Sequence, residues 1–148
     1  MSEEKFINPL DLQPDVAVGV KLPFTQTNGR LFELSYSTAE QAHSNLRSLL
    51  LTRKGERRMQ PRFGTDIYRY LMEPNTRATH DKLATSIKKD VEYWLPYISL
   101  DDVIITNKEQ AGDLIGNTMY VSLKYNIVNQ ESETEIVLYI SNEGIRIL

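Results

Sequence analysis

Five cationic side chains, Arg53, Lys54, Arg57, Arg58 and Arg62, fall within the sixteen residues Thr52–Ile67 (TRKGERRMQPRFGTDI) of a chain whose formal net charge is −3. Three chemistries call for such a cluster: cradling a phosphate, gripping nucleic acid, or docking on an acidic partner. The first is excluded on spacing, because no G-x-x-x-x-G-K-[ST] run is present. Sequence-tolerant nucleic-acid grips interleave aromatic rings with like charge, and Phe63 is the single aromatic residue among these arginines. Arginine's planar five-donor fork matches carboxylates of another chain, or the carbonyls that end helices. Docking or internal bracing is therefore the reading for the loop. Glu56, Asp66 and Glu73 flank it, and two carboxylates about 5 to 9 Å apart can hydrolyse a glycosidic bond. Glu56 beside Arg57 reads more simply as a salt-bridged structural acid. No G-x-S-x-G, cysteine nucleophile or partnered histidine accompanies these acids.

The rest of the composition narrows the field. With 148 residues, 41% hydrophobic and 25% charged, the chain is expected to build one core. It has no cysteine, so disulfides and thiolate zinc sites are impossible, and His43 and His80 stand far apart, so neither a metal centre nor a cofactor is expected. The start, MSEEKFINPL, has no apolar signal-peptide region, and no apolar run approaches the ~18 residues of a membrane span. Residues 1–50 carry four basic and six acidic side chains, residues 51–100 ten and six, and residues 101–148 three and eight. A basic middle and an acidic end suit contacts with neighbours of different charge, and the acidic balance argues against continuous contact with DNA.

The elements that must position the loop follow from periodicity. Pro9, Pro14, Pro23 and the pair Asn28-Gly29 predict an extended arm over residues 1–30 with a short strand around Val16–Leu22. The sequence STAE, Ser37–Glu40, reads as a capping box in which the glutamate reaches back to the cap. Ala39, Ala42, His43, Leu46, Leu49 and Leu50 then form one helical stripe, with Gly55 placed for a C-terminal cap. Thr65 can cap a short helix over Asp66–Met72, with Ile67, Tyr70 and Leu71 facing inward. A second long helix runs from about Thr76 to Leu95 on the stripe Leu83, Ala84, Ile87, Val91 and Trp94, and Pro96 ends it. Trp94 reads as a core anchor.

After Pro96 the period becomes two. Ser99–Asn107, Asn117–Asn129 and Thr134–Ser141 read as strands, and the final NEGIRIL as a further one. The expected architecture is α+β: an arm over 1–30, then one domain over 31–148. In that domain two long helices and a short one pack on one face of a mostly antiparallel sheet. Leu46, Leu49, Leu50, Leu83, Ile87 and Val91 should meet Val121, Leu123 and Tyr125.

The stretch LRSLLLTRKGERRMQPRFGTDIYRYLMEP, Leu46–Pro74, resembles the contractile-tail baseplate wedge family that includes the sheath initiator of T-even phages. Thr52, Gly55, Glu56, Arg57, Met59, Pro61, Phe63, Gly64, Leu71, Glu73 and Pro74 match its pattern in order, and a looser similarity extends over roughly Arg30–Ser141. Members of that family carry Glu-Pro-Arg at the end of the second long helix, where it meets the core bundle of the wedge. Here Leu95, Pro96 and Tyr97 keep only the proline.

The resemblance implies a structural protein of a phage tail or a related bacterial injection system, not an enzyme. Its location would be the baseplate of a virion assembled in the host cytoplasm, or the bacterial cytoplasm. Its partners would be other wedge subunits, the tail tube or hub proteins, and the tail sheath protein, which adds strands to an exposed sheet edge; neither nucleic acid nor membrane is implied. Strand addition needs unpaired backbone groups guarded by charge, and acidic residues such as Glu131, Glu133 and Glu135 supply it. The residues assigned to partner contact are Arg53, Lys54, Arg57, Arg58, Arg62, Glu73, Pro74, Leu95, Pro96 and Tyr97. A peptidoglycan-cleaving, lysozyme-like enzyme is the alternative.

Overall fold

The computed structural model describes residues 9–13, 15–24, 32–70, 72–74, 76–106, 119–127, 134–141 and 144–147. The Asn28-Gly29 pair, Leu71, and the acids Glu131 and Glu133 lie outside these. A 3-10 turn at Pro9–Leu12 precedes β1 (Gly19–Val20), β2 (Leu34–Ser35), α1 (Thr38–Leu51) and α2 (Ile67–Tyr70). Then come α3 (Arg77–Trp94), β3 (Ile98–Thr106), β4 (Met119–Ile127), β5 (Thr134–Ser141) and β6 (Gly144–Ile147). The last four strands form an antiparallel meander in the order β3-β4-β5-β6. This is the α+β arrangement expected.

Alternation builds the core. Met119, Val121, Leu123, Tyr125 and Ile127 of β4 are buried, as are Ile136, Leu138 and Ile140 of β5, and they share one cluster with Leu46, Leu49, Leu50, Leu83, Ile87 and Val91 from the two long helices. Register keeps these residues on one face: Val121 lies opposite Ile105 and Leu138, and Leu123 opposite Val103 and Ile136. A one-residue slip would turn the whole set to solvent. β3 departs from even pairing at a bulge between Leu100 and Asp102, beside Asp101.

Helix α1 starts as its sequence dictates, with the Ser37 hydroxyl accepting the Glu40 N–H at 3.2 Å. The reciprocal half of the box differs: the Glu40 carboxylate accepts the Tyr36 N–H at 3.4 Å and pairs with Lys21 at 3.1 Å. The nearby ammonium competes for the carboxylate. The Asp11 carboxylate adds a second clasp, accepting the Thr38 N–H at 2.7 Å and its hydroxyl at 2.6 Å, where a negative charge also suits the positive helix end. The strand expected around Val16–Leu22 is only the two-residue β1, which pairs with β2. A Cβ at Gly19 would stand 2.0 Å from the Gln41 Oε1, so a larger residue there would push aside the glutamine amide that accepts from the Ser35 hydroxyl.

Two further expectations are corrected. Gly55 is not the cap of α1, which ends at Leu51 with Thr52 as its cap. Thr65 does not cap α2, because its buried hydroxyl donates to the Leu50 carbonyl at 3.1 Å. Both residues belong instead to the basic loop.

Candidate functional site

Residues 52–66 leave α1 and return to its end, forming a closed surface loop. The Thr65 N–H donates to the Thr52 carbonyl at 2.9 Å, and the Thr52 hydroxyl donates to the Ser48 carbonyl at 2.6 Å. Closure needs glycine at 64, where φ is +114° and a Cβ would lie 2.4 Å from the Thr52 carbonyl oxygen. Gly55, at φ +92°, donates its N–H to the Pro61 carbonyl at 2.8 Å. The G-E-R…P-R-F-G spacing thus encodes a fixed loop: one glycine for the inner turn and one for the neck.

The cations divide between two sides. Lys54 turns inward, its ammonium 2.7 and 2.9 Å from the two carboxylate oxygens of Asp90 on α3 and 3.0 Å from Asp66. Burial pulls its pKa down, and the carboxylates of Asp90 and Asp66 more than offset this, so it stands above the ordinary lysine value. Arg53, Arg57, Arg58 and Arg62 are exposed. Arg57 is held from one side only: its guanidinium lies 3.8 Å over the Phe63 ring and donates to the Ser48 hydroxyl at 3.0 Å. The sequence pairs Arg57 with Glu56 as a salt bridge, and the described contacts give Arg57 an aromatic face and a hydroxyl instead.

The acids have local duties. The Glu56 carboxylate accepts the Arg53 N–H at 3.0 Å, and Glu73 pairs with Arg69 one turn earlier at 3.8 Å. Glu73 is half-buried and Pro74 is exposed, with the Pro74 carbonyl accepting the Thr79 hydroxyl at 2.8 Å at the start of α3. At the other end of α3, Leu95 is buried as the cap, Pro96 is exposed, and the Tyr97 hydroxyl accepts from the Asn45 amide at 2.8 Å. Among the described residues no group of three His, Cys, Asp or Glu side chains is placed to hold a metal, and no helix is long and apolar enough to cross a membrane.

Sequence reasoning missed the aromatic neighbours of the loop. Phe63 meets Trp94 edge to face at 5.2 Å, and Trp94 meets Tyr93 at 5.1 Å. Trp94 is thus half-buried at the edge of the core rather than wholly inside it. The signal available was the helical stripe ending at Trp94, whose last turn has to lie near the loop once α1 and α3 pack together.

Residues 37–132 match the family described as Baseplate wedge protein gp25. Solved structures with the same fold include a Geobacter sulfurreducens protein described as a tail lysozyme, with 23% identity and a TM-score of 0.60 over 70% of this chain and 89% of that one. A chain of the anti-feeding prophage baseplate has 20% identity and a TM-score of 0.63, over 76% of this chain and 86% of that one. A chain of the type VI secretion system baseplate has 19% identity and a TM-score of 0.52, over 69% and 93%. At these identities the likeness concerns the fold. No curated protein sequence matches the chain.

Proposed function

Because this chain belongs to the family of Baseplate wedge protein gp25, we propose that within its baseplate it is a structural component that docks on neighbouring wedge subunits and offers a sheet edge to the first sheath subunits. The observation that carries this reading is the open meander. Among the described residues β3 and β6 each pair on one side only, which leaves a row of backbone donors and acceptors for an added strand. On β3 the bulge and the exposed acids Asp101 and Asp102 guard the edge against indiscriminate pairing. The exposed arginines of the loop, together with Pro96 and Tyr97 past the end of α3, offer one docking contact, and Glu73 and Pro74 ahead of its start offer another. Lys54 and Leu95 support the first from within.

Electron cryo-microscopy of the assembled baseplate tests the reading. The expected result is a strand from another chain hydrogen-bonded along β3 or β6, and two bare edges in the finished particle would overturn it. The role is structural rather than hydrolytic. Clearing of cell-wall peptidoglycan by the purified chain, lost on Glu56→Gln or Glu73→Gln, would reverse that conclusion.

A further inference from the structure

Side chains from two distant parts of the chain make one continuous band on the surface. Arg57 lies on Phe63, Phe63 on Trp94 and Trp94 on Tyr93, with each ring contact about 5 Å between centroids. The band does not close into the core: Tyr93 is 70% exposed, and Met59, in the same loop, is 94% exposed. Arg53, Arg58 and Arg62, on the same loop as Arg57 and Phe63, are exposed and make no ion pair among the described residues.

We propose that this band is a docking surface for an acidic peptide segment that carries an aromatic or long aliphatic side chain, presented by a neighbouring protein of the particle. The apolar side chain rests against Tyr93, Trp94 and Met59, while carboxylates of the same segment meet Arg58 and Arg62. This deepens the docking reading of the loop and rests on it. Clustered tyrosine, tryptophan and arginine form the composition of binding hot spots, and guanidinium forks bind carboxylates in pairs of hydrogen bonds. Charge complementarity selects an acidic occupant: Lys54 is taken up inside the fold by Asp66 and Asp90, and the exposed Arg53, Arg57, Arg58 and Arg62 outnumber the acid it leaves unbalanced and Glu56 of the loop.

The ring geometry decides against single-stranded nucleic acid. Successive bases stack on ring faces presented in series. Here Arg57 covers the Phe63 ring, and the planes turn by 67° from Phe63 to Trp94 and by 88° from Trp94 to Tyr93. No two neighbouring rings offer parallel platforms.

The test places the photo-crosslinker benzoylphenylalanine at position 93 of the full chain, in the cells that make the particle, and maps the cross-linked peptide in purified particles by mass spectrometry. A cross-link to an acidic segment with an aromatic or aliphatic residue is expected. Tyr93→Ala and Arg58→Glu should each lower incorporation into particles at least tenfold, with the melting temperature of each isolated variant unchanged. A cross-link to a neutral or basic segment, to nucleic acid or to a second copy of this chain overturns the proposal. If that occurs while Arg58→Glu still blocks incorporation, the docking reading of the loop survives and only the partner chemistry falls. If position 93 cross-links nothing and Arg58→Glu assembles normally, both fall.

Discussion

The Lys54 ammonium and the Asp90 carboxylate face each other at 2.7 Å, joining the basic loop to the C-terminal part of α3. Asp90 is only 8% exposed, so removing the lysine would leave a nearly buried acid without its ion pair. Lys54→Met should destabilise the domain by about 3 kcal/mol, because an unpaired acid is left behind. Adding Asp90→Asn should recover more than half of the loss. The pH dependence has a definite sign. A lysine pKa raised above its unfolded value of 10.5 gives stability that is complete below 10.5 and disappears as pH climbs through the folded value. Urea titrations of parent, single and double variants check both statements, and equal loss in the single and double variants would contradict the pairing.

The two loop glycines should respond differently to a methyl group. Gly55→Ala meets nothing within 4 Å and carries only the penalty of φ +92°, about 1 to 2 kcal/mol. Gly64→Ala has the same kind of penalty at φ +114° and also drives a carbon to 2.4 Å from the Thr52 carbonyl oxygen, so its loss should exceed about 2 kcal/mol. Thermal melts rank them, and a Gly55 variant as damaged as the Gly64 variant would mean that the loop neck is not closed as described.

Arg57→Ala should destabilise the isolated domain by about 0.5 to 1 kcal/mol, the range for an exposed cation over an aromatic ring. Its guanidinium meets Phe63 and a serine hydroxyl rather than a buried carboxylate. A loss as large as that of Lys54→Met would show that Arg57 has a charged partner in solution.

His43 gives the domain an acid-sensitive point. Burial, and then the like charge of Arg47, lower its pKa below 6.5. Its Nδ1 lies 2.8 Å from the Tyr125 hydroxyl, while Lys21 and Glu40 line the same cavity. A depressed pKa gives stability that is present above 6.5 and lost as pH falls through the folded value. His43→Gln should therefore flatten the stability profile on the acid side of 6.5. Parallel profiles for the two proteins would assign the acid response elsewhere.

Periodicity alone located the long helices and the three main strands, since Leu46, Leu83 and Val121 lie on stripes that a core must cover. Of the β1–β2 pair only β1 was legible, inside the strand expected around Val16–Leu22, and β2 was not, because two residues carry no period. The division of labour within the loop was hidden for another reason. Lys54 and Arg57 look alike in sequence, and what separates them is Asp90, 36 residues from Lys54, and a ring contact that exists only after α3 has packed. Gly55 misled because its distance past the α1 stripe suited a cap, while its N–H serves Pro61 across the loop.

The anchoring of the loop also has a mechanical meaning. Thr65 ties its neck to the last turn of α1 through the Leu50 carbonyl, and Lys54 ties it to α3 through Asp90. Under the docking proposed above, tension applied at Arg58 or Arg62 would be divided between two helices that share one core. Peeling the loop away would require breaking the threonine clasp and the partly buried ion pair together, whereas the proposed contact with a neighbour could be pulled apart one side chain at a time. On the docking proposed above, the joint between subunits would therefore give way under load before the domain does.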